Sequence, residues 1–402
     1  MSDQAQVVAA LECAAQAGAR VALVTVVETI GSTYRRAGAR MVVTGDGSTV
    51  GTVSAGCLER DVAARALRAL ADRRFELARY DGRGDDDMAW GEGCGGVVDL
   101  LIEPLAPQRA GDVARCLRAA LESDEPCLLA TVFAASGPDA PRLGARLLAC
   151  PHGVEHDDVD AWADGRLRAL IVDDLWRRAP ARGADVRELS VRALDAECAA
   201  SSARVCVEVI QPTVRLLICG SGSDAEPVAR LAAQLGWDVT VLDHRPVSVA
   251  GPERFSGARV VECADARLVA DVVRIVPRTA AIVMSHHFAR DTAYVGALTA
   301  AGAGYVAVLG PRSRTSRMLA ELAASGAPVL DGAAAAIRAP AGLDIGGEGA
   351  EAIALSIIAE VHAVAHGRSG SAPMTRAVTS AGAARAANGV MSSPTPGAVR
   401  HS

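Results

Sequence analysis

Two cysteines lie in glycine-flanked segments where a thiol could act on a ligand. Cys57 lies in the segment 54–59, at a predicted strand-to-helix junction, and Cys94 lies in the glycine-rich segment 91–96. A helix N-terminus favours the thiolate, which is both a nucleophile and a soft metal ligand. Glu59, in the first predicted helical turn, can cap the helix or handle a proton. A cysteine is more often a small buried apolar residue, but two Gly-Cys segments in one small region favour a functional role.

A loop after the first predicted strand carries donors suited to an anion. Gly31, Ser32, Tyr34 and Arg35 lie there in one short run. Hydroxyl and guanidinium groups of this kind bind phosphates and carboxylates. The alternative is an ordinary polar loop.

The second half of the chain contains a dinucleotide-binding pattern. Gly220 and Gly222 follow an apolar strand and precede a helix, and Asp243 ends the next strand. Such glycines allow a tight turn and a close approach to a pyrophosphate, while the acidic residue accepts a hydrogen bond from a ribose hydroxyl. The pattern therefore predicts NAD rather than NADP. Asp224 and Glu226 place carboxylates at the same helix N-terminus, where they compete with a phosphate, so a Rossmann fold without a nucleotide is the alternative.

Histidine and arginine residues follow later strands of this half. His286 lies after the fourth strand, on the edge where open α/β sheets bind ligands, and is a candidate proton donor or a capping residue. Arg312 follows the fifth strand and is a candidate phosphate ligand. His362 and His366 have the spacing of a shared metal site, but cations are also favoured near a helix C-terminus, and we prefer the second interpretation.

The composition excludes several classes of function. The 402 residues are half apolar, carry a net charge of −6 and are only 3% aromatic, which argues against binding to nucleic acid. All 41 basic residues are arginine, so a P-loop lysine and a Schiff-base lysine are excluded.

The cysteine pattern and the apolar runs predict the location of the protein. The 10 cysteines show no CxxC spacing, which predicts reduced thiols and no structural zinc site. No apolar run approaches the ~18 residues of a membrane span. Asp3 and Glu12 lie where a secretory signal would have basic and apolar regions. We expect a cytoplasmic protein.

The elements that must position these residues fall into repeated units. Val21–Glu28 predicts a buried strand, and Gly45-Asp46-Gly47 predicts a hairpin turn. Thr25 and Gly38 recur as Thr131 and Gly144, each 106 residues further along, which indicates an internal duplication whose second copy lost the Gly- and Cys-rich loops. The predicted N-terminal domain covers residues 1–105, and its degenerate second copy covers 106–213. A Rossmann-like domain is predicted over 214–368, followed by a disordered tail over 369–402.

Short apolar strands alternate with helices from Arg215 onwards. This rhythm is typical of a doubly wound parallel sheet. The predicted fold class is therefore α/β, with an N-terminal α+β domain containing a degenerate internal repeat and a C-terminal Rossmann-like parallel sheet.

The order of these motifs resembles the XdhC/CoxI family, the accessory factors of xanthine dehydrogenase and related molybdenum hydroxylases. The N-terminal likeness lies in segments 31–35, 38–41, 54–59 and 93–96. The C-terminal likeness lies in segments 220–222, 243–246, 284–286, 309–312, 342–346 and 354–360. Together they span most of residues 20–370.

The resemblance implies a chaperone rather than a turnover enzyme. Such a protein binds molybdenum cofactor, a pterin dithiolene with a terminal phosphate, supports its sulfuration and inserts it into an apo molybdenum hydroxylase. On this interpretation Cys57 and Cys94 are candidate molybdenum ligands and, with Glu59 and His286, candidate reactive groups. The candidate cofactor-binding residues are Gly31, Ser32, Tyr34, Arg35, Gly56, Gly95, Gly96, Gly220, Gly222, Asp243 and Arg312.

Other partners and functions stay open at this point. A cysteine desulfurase is a further candidate partner, and a homodimer is a candidate assembly. One alternative function is an NAD(P)-dependent oxidoreductase that uses His286 as its proton donor. The other is a dinucleotide-sensing module that carries out no chemistry.

Overall fold

The fold is built on three β-sheets. The computed structural model describes residues 2–82, 95–138, 140–162, 165–180, 183–191, 201–325 and 337–368. Within these ranges two sheets are antiparallel with five strands each, and the third is parallel with six. No helix in the same ranges is long and apolar enough to cross a membrane. Cys94 and the tail 369–402 lie outside the described residues.

The first repeat unit folds in the order helix, three strands, helix and two strands. Its elements are α1 (Asp3–Gln16), β1 (Val21–Ile30), β2 (Arg40–Thr44), β3 (Thr49–Gly51), α2 (Glu59–Asp72), β4 (Glu76–Asp81) and β5 (Val97–Leu105). The β-branched run that begins β1 is buried along its first seven residues, as expected for a central strand. The order across the sheet is β3-β2-β1-β5-β4.

The second repeat unit has the same element order. Its elements are α3 (Pro107–Glu122), β6 (Cys127–Ser136), β7 (Arg146–Cys150), β8 (Gly153–Asp157), α4 (Gly165–Arg177), β9 (Ala184–Val191) and β10 (Ser201–Ile210). The order across its sheet, β8-β7-β6-β10-β9, matches that of the first unit strand for strand. The internal repeat predicted from the sequence is confirmed.

The two repeat units share one apolar core. Helices α1 and α3 lie side by side between the sheets, and their buried side chains join those of both sheets in a single cluster. Leu11 of α1, Leu23 of β1, Leu117 of α3 and Leu129 of β6 all belong to it. Each unit therefore covers one face of the other unit's sheet. The opposite face of each sheet packs against a helix of its own unit, α2 or α4.

Two buried ion pairs cross between the units with matching geometry. Arg40 of β2 binds Glu208 of β10, and Arg146 of β7 binds Glu103 of β5. Each arginine also donates to the carbonyl oxygen of the glycine two residues before it, at 2.9 Å in both cases. The repeat units are therefore related by an approximate two-fold axis.

The C-terminal unit is a Rossmann-like parallel sheet. Its elements are β11 (Arg215–Cys219), α5 (Ala225–Gln234), β12 (Asp238–Asp243), α6 (Val247–Ala250), β13 (Arg259–Glu262), α7 (Val269–Val272), β14 (Thr279–Val283), α8 (Phe288–Ala300), β15 (Tyr305–Val308), α9 (Arg312–Ala324), β16 (Ile337–Arg338) and α10 (Ala350–Ala365). The strand order is β13-β12-β11-β14-β15-β16, so the direction of winding reverses between β11 and β14. Ligands bind at such a switch point in open α/β sheets.

One local prediction is wrong. The expectation of reduced thiols fails for Cys127 and Cys150, which face each other on adjacent strands with Cα atoms 4.4 Å apart and form a disulfide.

A proline lies within one of the paired strands. Proline often ends a strand, but β5 continues through Pro104, which pairs with Ala22 of β1. This is tolerated because the other neighbour, β4, pairs with β5 only as far as Ile102.

Candidate functional site

Three loops of the first repeat unit meet at one edge of its sheet. Ile30, the last residue of β1, pairs with Val97, the first of β5. Gly51, the last residue of β3, pairs with Met41 near the start of β2. The antiparallel pairing therefore places segments 31–39, 52–58 and 95–96 at one edge, which we call the glycine–thiol edge.

Two of these loops pack backbone to backbone. A Cβ atom on Gly96 would overlap the carbonyl oxygen of Ser32 and lie 2.9 Å from that of Ile30. Gly31 and Gly95 have φ values of 78° and 57°, in the left-handed region that favours glycine. The structure thus brings together Gly31, Ser32, Gly95 and Gly96, four of the candidate cofactor-binding residues, and loop packing already requires glycine at position 96.

The Cys57 loop is held in shape by a clamp between Ser54 and Glu59. The Ser54 hydroxyl donates to Glu59 Oε2 at 2.5 Å, and the Ser54 amide donates to Glu59 Oε1 at 2.8 Å. The same hydroxyl oxygen accepts from the amides of Gly56 and Leu58 at 3.2 Å and lies 3.5 Å from Cys57 Sγ. The loop is therefore ordered by its own polar groups, and the thiol is exposed at its end.

Glu59 is a hydrogen-bond acceptor in this arrangement. Burial alone would raise the pKa of its carboxyl group, but the hydrogen bonds from the Ser54 hydroxyl and amide lower the pKa below its ordinary value. An ionised acceptor is suited to fixing the loop rather than to donating a proton at neutral pH. The sequence left open a helix-capping role and a proton-transfer role for Glu59, but in the structure its carboxylate binds Ser54 in the loop before α2.

Cys57 differs from most other free thiols of the described residues in being accessible. Cys206 and Cys219 are buried in β10 and β11, and burial raises the pKa of both thiols. Cys13 is the other exposed free cysteine among the described residues, but it lies on helix α1 and not in a loop of the glycine–thiol edge. Within the described residues, Cys57 is therefore the accessible thiol of this edge.

The predicted anion loop turns away from the thiol. Arg35 binds Asp3 of α1 at 2.8 Å, and Tyr34 is 67% exposed. Both line a cavity of about 350 Å³ with Arg40 and Glu208, and the described residues that line it include none from segment 52–58. Tyr34 and Arg35 are thus not brought together with Cys57 around one cavity.

Packing within the protein requires one glycine of the Rossmann turn. A Cβ atom on Gly220 would lie 2.6 Å from the carbonyl oxygen of Met284, at the ends of β11 and β14. A Cβ atom on Gly222 would meet only the end of the Asp224 side chain, which can turn aside. Gly220 is therefore explained without a bound pyrophosphate, whereas the packing does not require glycine at position 222.

Asp243 is not available to a ribose in this structure. It is 4% exposed and accepts hydrogen bonds from the Ser221 hydroxyl, from the Arg245 amide at 2.8 Å and from Arg245 Nε at 2.9 Å. Burial would raise the pKa of Asp243, but Arg245 and Ser221 lower it well below its usual range. The sequence prediction that Asp243 accepts from a ribose hydroxyl does not fit this geometry, because Arg245 already occupies that place.

His286 pairs with the carboxylate at the start of α5. Its Nε2 lies 2.8 Å from Asp224 Oδ2, and its backbone φ of 61° is in the left-handed region. His286 lines a crevice of about 250 Å³ at the switch point together with Asp243 and Arg245. The crevice is smaller than ligand pockets usually are, and Asp224 lies beside the turn where a pyrophosphate would bind. The residues present do not fit a dinucleotide.

Arg312 does not line the crevice. The buried carboxylate of Asp291 instead joins the loop that carries His286 to α9. Arg312 is exposed at the first residue of α9. Asp291, which is 1% exposed, accepts from the Ser285 amide and hydroxyl at 3.1 and 2.5 Å and from Arg314 at 2.8 Å. Asp291 therefore ties the His286 loop to α9.

Sequence reasoning missed Arg245 and Ser221 as the partners of Asp243. The arginine two residues after the aspartate was a usable signal.

Both halves of the chain match models of one protein family. The model of the XdhC Rossmann domain matches residues 216–361, and the model of the XdhC and CoxI family matches residues 14–81. The chain belongs to the XdhC and CoxI family.

Relatives of this XdhC-family chain match it over nearly their whole length. A probable xanthine dehydrogenase subunit of Bacillus subtilis (strain 168) is 28% identical over 84% of this chain and 91% of its own. The molybdenum cofactor insertion chaperone PaoD of Escherichia coli (strain K12) is 28% identical over 87% of this chain and 85% of its own. The crystal structure of a xanthine dehydrogenase from Bacillus halodurans has the same fold, with a TM-score of 0.66 at 24% identity over 93% of this chain and 98% of that one.

The family model of the N-terminal region includes the Cys57 loop but ends at Asp81. Segments 31–39 and 52–58 of the glycine–thiol edge therefore lie within the matched residues, and Gly95 and Gly96 lie beyond them. In this XdhC-family chain the edge offers an exposed thiol on a fixed loop, and the closely packed glycine backbone lies at the same edge of the sheet. This arrangement can bind a soft metal centre through sulfur.

Proposed function

We propose that this chain binds molybdenum cofactor as cargo and delivers it to an apo molybdenum hydroxylase. The observation that carries the proposal is the likeness to the Escherichia coli insertion chaperone, which extends through both halves of the chain and is not confined to a common Rossmann domain. Both family matches point the same way, and the residue with the chemistry to hold a metal centre lies within one of them.

The glycine–thiol edge is the cargo site in this proposal. Cys57 supplies an exposed sulfur, which is a suitable ligand for a soft or intermediate metal centre. The clamp between Ser54 and Glu59 fixes the loop that carries the thiol, so that little backbone freedom is lost when the cargo binds. Cys94 remains a candidate second thiol for the same edge, because Gly95 and Gly96, which follow it, lie there.

The finer roles follow from the same site. We infer that the bound cargo is the form to which a cysteine desulfurase adds sulfur before insertion, and that the thiol protects the metal during that step. A second copy of this chain is a further candidate partner. The identity of the hydroxylase depends on surface complementarity with a protein partner.

Cofactor retention tests the proposal. The full chain, incubated with molybdenum cofactor under anaerobic conditions and passed through gel filtration, should emerge with near-stoichiometric molybdenum and pterin. It should then restore activity to an apo molybdenum hydroxylase. Protein that emerges without metal or pterin, while a known cofactor carrier treated in parallel stays loaded, would refute the proposal.

A further inference from the structure

A large cleft lies between the two repeat units, on the side opposite the glycine–thiol edge of the first sheet. From the first unit it is lined by Arg20, before β1, and by Arg73 and Phe75, between α2 and β4. From the second unit it is lined by Arg142 and Leu143, before β7. Its volume is about 960 Å³. We call it the inter-repeat cleft.

The second unit contributes to this cleft with the edge that corresponds to the glycine–thiol edge. Arg142 occupies the repeat position of Arg36, since both lie two residues before the glycine that precedes β7 or β2. Asp157 and Asp158, where β8 ends, correspond in place to the start of the Cys57 loop after β3. The second unit has lost the glycine–cysteine loops, but its edge still borders a cavity.

Three guanidinium groups in the cleft have no partner among the described residues. Arg20, Arg73 and Arg142 are all exposed and make no side-chain hydrogen bond or ion pair there. Other charges of the cleft are already paired. Asp158 binds Arg109 and lies 3.2 Å from His156, and Asp157 binds Arg168. Asp160 is one carboxylate without a described partner, so the unpaired groups leave an excess of positive charge.

Arg73 occupies a backbone conformation that normally selects glycine. It caps α2 with φ 55° and ψ 38°, and its amide donates to the carbonyl oxygen of Ala69. Helices commonly end in this way with glycine, because a Cβ atom is strained in the left-handed region. A strained residue whose side chain lines a cavity points to a role for that side chain. The cleft gains a guanidinium that glycine would not supply.

An apolar surface lies beside these cations. Phe75 is 40% exposed and Leu143 is 37% exposed, although side chains of this kind are usually buried. A Cβ atom on Gly144 would lie 3.0 Å from the Phe75 ring, so the ring rests against the Leu143–Gly144 backbone. A flat ring can stack on this surface while an attached anion reaches the arginines.

We propose that the inter-repeat cleft binds a small phosphate ester of a planar heterocycle. Arg20, Arg73 and Arg142 bind the phosphate, and Phe75 and Leu143 contact the ring. The cleft has the volume of a small-molecule site. A free nucleotide and the phosphorylated pterin of the cargo share this chemistry, and the experiment below distinguishes them. The proposal rests on the cleft alone and does not require the cargo function.

Calorimetry of the full chain with GDP, inorganic pyrophosphate and guanosine tests the chemistry. GDP should bind most tightly, pyrophosphate less tightly and guanosine least, and binding should weaken with added salt. Arg73→Gly relieves the backbone strain and removes the cation, so the protein should fold and bind GDP roughly 10- to 100-fold more weakly. Arg142→Gln should act in the same direction.

The matched control is Arg74→Ala, which removes the neighbouring exposed arginine outside the cleft lining and should leave GDP binding unchanged. The proposal is overturned if neither GDP nor pyrophosphate binds at millimolar concentration, or if folded Arg73→Gly and Arg142→Gln bind both like the parent. Loss of cofactor retention in Arg73→Gly identifies the cargo pterin as the ligand, and unchanged retention with weakened GDP binding identifies a free nucleotide. Cofactor retention that fails only in Cys57→Ala bears on the cargo function and leaves the cleft intact.

Discussion

Removing one carboxylate from a crossed ion pair should destabilise both repeat units. Glu103 and Arg146 are 1% and 0% exposed at their side chains and come from different units. Burial disfavours the Arg146 charge, but the charge and hydrogen bonds of Glu103 keep the pKa of Arg146 above its usual value. Glu103→Gln preserves the volume and leaves the guanidinium buried without a counter-charge. Breaking a buried pair in this way costs about 3–5 kcal/mol, a large part of the roughly 5–15 kcal/mol that stabilises a typical domain.

Urea unfolding followed by circular dichroism measures this loss. Glu12→Gln is the control, because Glu12 and Arg118 form an exposed ion pair at 2.6 Å that should contribute less than about 1 kcal/mol. The double variant Glu103→Leu/Arg146→Met should recover most of the loss, because it leaves no buried charge. A cost for Glu103→Gln no larger than that for Glu12→Gln would refute the reasoning.

Three further predictions concern the site, the pH response and the Rossmann crevice. Cys57→Ala should keep its thermal melting point yet fail to activate an apo-hydroxylase, whereas Cys13→Ala, the other exposed thiol, should activate normally; full activation by folded Cys57→Ala would contradict the assignment. Burial, together with a hydrogen bond to Glu28, raises the pKa of Asp99, so its favourable contribution is lost as pH rises. Asp99→Asn should therefore have a larger free energy of unfolding than the parent at pH 7. If the variant's advantage increased as the pH was lowered to 4, this reasoning would be contradicted. Because Asp243 is occupied, NAD and NADP should bind no tighter than about 1 mM by calorimetry, and micromolar binding of either would contradict it.

The sequence predicted those features of the fold that depend on local pattern. The alternation of short apolar strands with helices from Arg215 onwards predicted the parallel sheet, and matching residues such as Thr25 and Thr131 showed the repeat. Pairings between distant residues left no such signal. Arg40 and Glu208 lie 168 residues apart, and only the packing of one unit on the other brings them together.

The candidate site shows the same division between local and distant contacts. The loop 54–59 was recognisable because the groups that form its hydrogen bonds lie within five residues of one another. The dinucleotide pattern was misleading at Asp243. The motif specifies a carboxylate at the end of a strand, but it does not show whether a protein group such as Arg245 or a ribose hydroxyl donates to that carboxylate. Whether His286 would meet Asp224 depended on how β14 lies beside β11, which only the assembled sheet determines.

The shared core explains how two unlike edges can coexist in one duplicated structure. Helices α1 and α3 pack against each other and against both sheets, so each unit's stability depends on the face that it presents to its partner. The loops at the sheet edges lie outside this core and can change at little cost to stability. The first unit could therefore keep the clamped thiol loop of Cys57 while the second replaced the equivalent loops with the Arg142 side of the inter-repeat cleft. On this argument the two repeats form one folding unit, and their sheet edges can differ because the shared core constrains only the faces that pack together.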